Sequence, residues 1–99
     1  MTYNVHWTLE AEYTFNQNLA YLDKEWTRKV LNDFLDRVDL VLLKMSSNPL
    51  LYPLYQPGND VRKCPINKSI VLYYRVVDNS TIDLITFWNN YQDPKNLML

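Results

Sequence analysis

Ser69-Ile70-Val71-Leu72-Tyr73-Tyr74-Arg75-Val76-Val77, then Asp78-Asn79-Ser80, then Thr81-Ile82-Asp83-Leu84-Ile85-Thr86-Phe87-Trp88: this stretch decides the fold of the chain. Two β-branched and aromatic runs flank a short polar turn, which predicts a β-hairpin. With Asp78, Asn79 and Ser80 as the loop, Val77 stands opposite Thr81. Counting outward pairs Val76 with Ile82, Tyr74 with Leu84, Leu72 with Thr86 and Ile70 with Trp88. That set is almost wholly apolar and is the predicted core face. On the reverse face Arg75 meets Asp83 as a predicted ion pair, beside Tyr73/Ile85 and Val71/Phe87. Such a ribbon is unstable alone, so the remaining chain must cover it.

The residues before the hairpin supply that cover. Tyr3 to Trp7 alternate as a first strand, with Tyr3, Val5 and Trp7 on one face and His6 on the other. No second histidine or cysteine pair accompanies His6, so it reads as structural rather than as a ligand or base. Thr8 is a predicted N-cap, with Glu10 and Glu12 in the favourable first turn. Ala11, Phe15, Leu19 and Leu22 mark the buried stripe of a first helix ending near Leu22. A second helix is expected from about Glu25 to Met45, burying Val30, Phe34, Val38, Val41 and Met45. Asp33 and Arg37 pair on its solvated side. Asn48-Pro49 stops it. Residues 50–60 then read as an ordered loop anchored by Leu51, Tyr52, Leu54 and Tyr55. Val61 to Ile66 form a short second strand, where Pro65 near its end suits an edge or a bulge. The polar turn after Trp88 ends in an apolar tip expected to fold back. The sum is an α+β domain in the order β-α-α-β-β-β, its two-helix hairpin packed on one face of a twisted, mostly antiparallel sheet.

Composition narrows function. The 99 residues are 47% hydrophobic and 14% aromatic, enough for one core, so a single domain over 1–99 is expected. One glycine leaves no phosphate-cradling loop. A net charge of −1 argues against broad polyanion binding, and no sequence-specific DNA binding is expected. The charge is uneven: residues 1–60 carry five basic and eight acidic side chains, residues 61–99 five basic and three acidic. Cys64 stands alone, which excludes an internal disulfide and suggests a reducing compartment. No basic segment precedes an apolar run at the N-terminus, and no run approaches ~18 apolar residues. A soluble cytoplasmic protein is expected, without membrane contact, cofactor or metal.

Several segments together resemble the RelE/ParE family of toxins from bacterial type II toxin–antitoxin operons. They are Trp7-Thr8-Leu9-Glu10-Ala11, the Asn48-Pro49 helix exit with Tyr52-Pro53, Val61-Arg62-Lys63-Cys64-Pro65-Ile66, Val71-Leu72-Tyr73-Tyr74-Arg75-Val76, and Phe87-Trp88 with Gln92-Asp93-Pro94. Their order and spacing across nearly the whole chain carry the resemblance, since each alone is a core or turn motif. The resemblance implies a growth-inhibiting, plasmid-stabilising toxin neutralised by a cognate antitoxin. Its ribonuclease branch cuts messenger RNA on the ribosome without a metal; the other branch poisons DNA gyrase by protein contact.

Metal-free cleavage requires a base for the ribose 2′-hydroxyl, cations for the phosphate and an acid for the leaving oxygen. The ribonuclease branch draws these from basic residues on the last three strands and a tyrosine or histidine near the C-terminus. In this chain Arg62 falls at one such place, but the next holds Cys64. The third-strand arginine position falls near Val71, Tyr91 stands where a basic residue is expected, and no histidine follows Trp88. If the chain is a nuclease, its set is Arg62, Lys63, Lys68 and Tyr91. An acidic chain gains little from RNA phosphates, so a protein target is favoured. Three readings stay open: a gyrase-binding toxin, a ribosome-dependent endoribonuclease with a substituted set, and a fold-retaining protein that only pairs with antitoxin. Trp26, Tyr55, Arg62, Lys63, Arg75 and Tyr91 are the candidate partner contacts, in an antitoxin mode that lays a helix or extended segment on an apolar groove and sheet edge.

Overall fold

Thr8 couples the first strand to everything that follows. In the computed structural model, which describes residues 2–97 and 99, β1 (Asn4–Trp7) ends there and α1 (Leu9–Glu25) begins. The Thr8 hydroxyl oxygen accepts from the Ala11 N–H at 3.1 Å, capping the helix as predicted. The same hydroxyl donates to the Leu84 carbonyl at 2.7 Å, tying the helix start to the last strand. After α1 come α2 (Arg28–Ser47), β2 (Val61–Pro65), β3 (Ile70–Val76), β4 (Thr81–Asn89) and a 3₁₀ turn, Pro94–Asn96. The sheet order is β1-β4-β3-β2, with β1 parallel to β4 and the other pairs antiparallel. Both helices bury one face against it, as expected: Ala11, Leu22, Phe34, Val38, Val41 and Met45 pack with Ile70, Leu72, Tyr74, Ile82 and Leu84. Among the described residues no helix is long and apolar enough to cross a membrane.

The helix boundaries differ from expectation. α1 runs three residues past Leu22, because Asp23, Lys24 and Glu25 form its exposed last turn rather than a break. Trp26 donates to the Leu22 carbonyl at 3.0 Å, and Thr27 caps α2 by accepting from Val30 N–H at 3.2 Å. The buried face of α1 is Ala11, Thr14, Asn18 and Leu22, while Phe15 and Leu19 lie at its margin. On α2 the partner of Asp33 is Lys29, at 2.8 Å, and not Arg37.

The predicted hairpin register holds from the loop to Tyr74↔Leu84 and then shifts by one. Ile85 is the extra residue of a β-bulge, so Tyr73 pairs with Thr86, Leu72 with Phe87, Val71 with Trp88 and Ile70 with Asn89. Phe87 therefore enters the core, with its ring 5.4 Å from Trp7 and 5.3 Å from Phe15, and Trp88 moves to the open face. The bulge sits where β1 stops at Trp7↔Leu84, so no second ladder holds this part of β4 straight.

Beyond Leu84, α1 side chains take the place of the missing strand. The Phe87 N–H donates to the Thr14 hydroxyl at 2.9 Å, and the Asn18 amide donates to the Phe87 carbonyl at 3.0 Å. Asn89 donates to the Asn18 oxygen at 3.4 Å. Thr14 and Asn18 are buried polar residues because they satisfy backbone groups that would otherwise be orphaned.

The loop from α2 to β2 is anchored by its tyrosines. The buried Tyr74 hydroxyl donates to the Pro49 carbonyl at 2.7 Å, and the Tyr52 ring packs edge-on against Tyr74. Leu51 and Leu54, expected as anchors, are exposed; the loop holds itself through backbone instead. Tyr55 N–H donates to Val61 O at 2.7 Å and Lys63 N–H to Pro53 O at 3.0 Å, covering part of the outer edge of β2. Gly58, at φ +80°, closes the Gln56–Asn59 turn in a backbone region that favours glycine. Burial pushes the Tyr52 and Tyr74 hydroxyls up to about 12; the neighbouring Cys64 thiol adds to the rise at Tyr52.

Thr14→Val keeps the volume but removes the acceptor for Phe87 N–H, and should cost about 1–3 kcal/mol in urea unfolding with an unchanged slope. A loss under about 0.5 kcal/mol would show that Phe87 needs no partner there. The tyrosines generate a pH effect. Unfolded hydroxyls ionise near ~10, so above that pH the folded chain binds more protons than the unfolded one. The stabilisation is full below about pH 10 and is lost as pH rises toward about 12. Replacing both Tyr52 and Tyr74 by Phe should flatten the fall in urea midpoint across that window; an unaltered fall would exclude them as its source.

Candidate functional site

Strand geometry separates the predicted nuclease residues. Neighbouring residues of a strand point to opposite faces, and cross-strand partners share one. Arg62 pairs with Tyr74 and lies on the helix-covered face, whereas Lys63 pairs with Tyr73 and lies on the open face. The Arg62 guanidinium is already engaged, donating from Nη1 to the Tyr52 carbonyl at 2.8 Å. Lys63 and Lys68 are exposed. Lys68 stands in the turn between β2 and β3, where it lines a hollow of about 260 Å³ together with Trp26, Tyr21 and Tyr91. The structure thus brings Lys68 and Tyr91 to one hollow, which neither Arg62 nor Lys63 lines, and puts Arg62 and Lys63 on opposite faces of the sheet.

The open face carries a pair that sequence reading missed. Nδ1 of His6 lies 2.9 Å from Oδ1 of Asp83, across the parallel β1–β4 ladder that also sets His6 opposite Asp83. Arg75 is the register partner of Asp83 as predicted, yet the expected Arg75–Asp83 ion pair is absent. The carboxylate turns to His6 instead, and Arg75 is exposed with no ion pair among the described residues. Parallel pairing of β1 beside β4 is what delivers His6, and no local signal in either segment specifies it. Both side chains are solvated, so the contact is a modest surface pair.

Three further candidates resolve by their surroundings. Tyr55 packs edge-on against Tyr73 with centroids 5.4 Å apart and is partly buried, so its ring serves the loop rather than standing free. Trp26 is half exposed and Tyr91 is 72% exposed, which leaves both rings open to a partner. Cys64 is fully buried, and burial raises its thiol, so it is a poor nucleophile. Among the described residues no group of three histidine, cysteine or acidic side chains is arranged to hold a metal. Chemically, the described residues offer exposed cations at Lys63, Lys68 and Arg75 and an aromatic hollow that only Lys68 of these lines.

No family model matches the sequence, and no curated protein matches it by sequence. Solved structures do match in shape. The E. coli DinJ–YafQ toxin–antitoxin complex gives a TM-score of 0.63 at 7% identity, covering 92% of this chain and 96% of that one. The toxin–antitoxin complex RelBE2 from Mycobacterium tuberculosis gives 0.62 at 17% identity, covering 90% and 99%. A YoeB/ParE toxin from Agrobacterium tumefaciens gives 0.61 at 11%, covering 87% and 96%. Two helices on a four-stranded mixed sheet, in this strand order, are the α+β fold of the RelE, YoeB, YafQ and ParE type of toxin, as the sequence resemblance implied.

Proposed function

We propose that this chain, acting as one domain, is the toxin of a type II toxin–antitoxin pair, bound by a cognate antitoxin in the cytoplasm. Its action is to bind a protein target, as in the gyrase-poisoning branch, rather than to cut RNA. The likeness in fold to YoeB/ParE-type toxins and to proteins solved as toxin–antitoxin complexes supports the toxin reading.

The separation of Arg62 and Lys63 from the hollow shared by Lys68 and Tyr91 supports the choice of target. Removing one electrostatic donor from an oxyanion-type site costs about 2.7–4 kcal/mol of transition-state stabilisation in well-studied enzymes. Here Arg62 is spent on a backbone carbonyl and Lys63 faces the other side of the sheet. Lys68 is the only cation lining the hollow that Tyr91 shares. A phosphate held by one exposed lysine gains little over water. The net charge of −1 offers no compensating attraction to ribosomal RNA.

Expression of the chain without its antitoxin should stop growth, with linearised plasmid and a DNA-damage response, and primer extension on cellular messages should show no codon-phased cuts. Codon-phased cuts abolished by Tyr91→Phe would overturn the protein-target reading in favour of the ribonuclease. Undisturbed growth at confirmed expression would overturn the toxin reading itself.

A further inference from the structure

Three chain reversals meet at one end of the molecule and enclose the hollow that holds Lys68. They are the Trp26–Thr27 link between the helices, the Asn67–Ser69 turn between β2 and β3, and the exit of β4 at Tyr91. Tyr21, Trp26 and Tyr91 supply aromatic surface, and Leu22 and Val30 add apolar lining. We infer that this hollow seats one apolar side chain of a partner protein segment that carries carboxylates beside it. The inference rests on the protein-binding reading above and deepens it by giving that partner an anchor point.

Charge selects the partner's sign. Among the described residues Lys68 is the only charged side chain lining the hollow, and it has no ion pair. A carboxylate at the rim meets the Lys68 ammonium, and none of the residues lining the hollow is acidic, whereas a basic segment meets repulsion. At about 260 Å³ the hollow lies at the lower end of the ~300–1,000 Å³ of pockets that enclose small-molecule ligands and readily admits one apolar side chain. Trp and Tyr are also the residue types that dominate protein interfaces energetically.

The hollow is set before any partner arrives. The Asn67 Oδ1 accepts from both Ser69 N–H and Ile70 N–H at 2.8 Å. Asn90 N–H donates to Ser69 O at 2.7 Å, joining the strand turn to the β4 exit. Tyr91 N–H donates to the Asn89 oxygen at 3.0 Å. With the backbone of these turns braced, the loops themselves need little ordering on binding.

The test is an NMR titration of the nitrogen-labelled full chain with blocked tripeptides, acetyl-Glu-Leu-Glu-amide and acetyl-Lys-Leu-Lys-amide, and with uridine monophosphate. The acidic peptide should shift the Trp26 indole and the Lys68 and Tyr91 amide signals saturably, and Trp26→Ala should remove the response. Lys68→Glu should weaken the acidic peptide about fivefold and make the basic one the better ligand. Equal response to both peptides, no response to either, or preferential response to the nucleotide would overturn the assignment, the last by making the hollow a nucleotide site. Failure here is separable from failure of the toxin reading. A chain that arrests growth while its hollow ignores the acidic peptide loses this inference only. A responsive hollow in a harmless chain loses the other.

Discussion

The outer edge of β4 beyond Leu84 is the constraint on which the rest of the structure depends. β1 covers that edge only from Thr81 to Leu84, while β4 continues to Asn89. The uncovered groups are buried beneath α1, where unpaired N–H and C=O are costly. Thr8 takes the Leu84 carbonyl, and Thr14 and Asn18 take both backbone groups of Phe87. Three polar side chains spaced along one helix thus complete a sheet, and in doing so they fix where that helix lies. Phe15, carried on the same helix, is then brought against Trp7, Phe87 and Phe34.

The same arrangement decides what the surface can do. Accommodating α1 goes with the bulge at Ile85, which sends Phe87 inward and Trp88 outward. From there the chain leaves β4 toward the turn after α1, so Tyr91 comes to Trp26 and Lys68 rather than to the cations of β2. Arg62 is drawn the other way, to the tyrosine-anchored loop that covers the edge of β2. A phosphate clamp requires basic groups that converge; here each is committed to a different part of the scaffold or stands alone. What the fold leaves open is an aromatic concavity with one positive charge.

Much of this follows from local pattern, and the remainder depends on contacts between distant segments. The hairpin as far as Tyr74↔Leu84, the buried stripe of α2 from Phe34 to Met45, the Thr8 cap and the edge position of Pro65 all rest on short-range chemistry. The bulge does not, because it answers to Thr14 and Asn18, over 65 residues away in sequence. On a helical projection those two residues fall on the same side as Ala11 and Leu22, but their polarity argues against burial, and the bare edge of β4 supplies the reason for it. His6 displaced Arg75 at Asp83 for a similar reason, since strand pattern does not specify which strand lies beside which. The separation of Arg62 from Lys63, by contrast, is implicit in their adjacency on a strand. The meeting of Trp26, Lys68 and Tyr91 is a product of tertiary topology, with no sequence motif behind it.

Amide hydrogen exchange at Phe87 tests the central claim most directly. If Thr14 and Asn18 complete the β4 edge, that amide should exchange only on global unfolding, as slowly as the paired amides of β3. Exchange at the rate of an open sheet edge, in a chain whose other β4 amides stay protected, would contradict it.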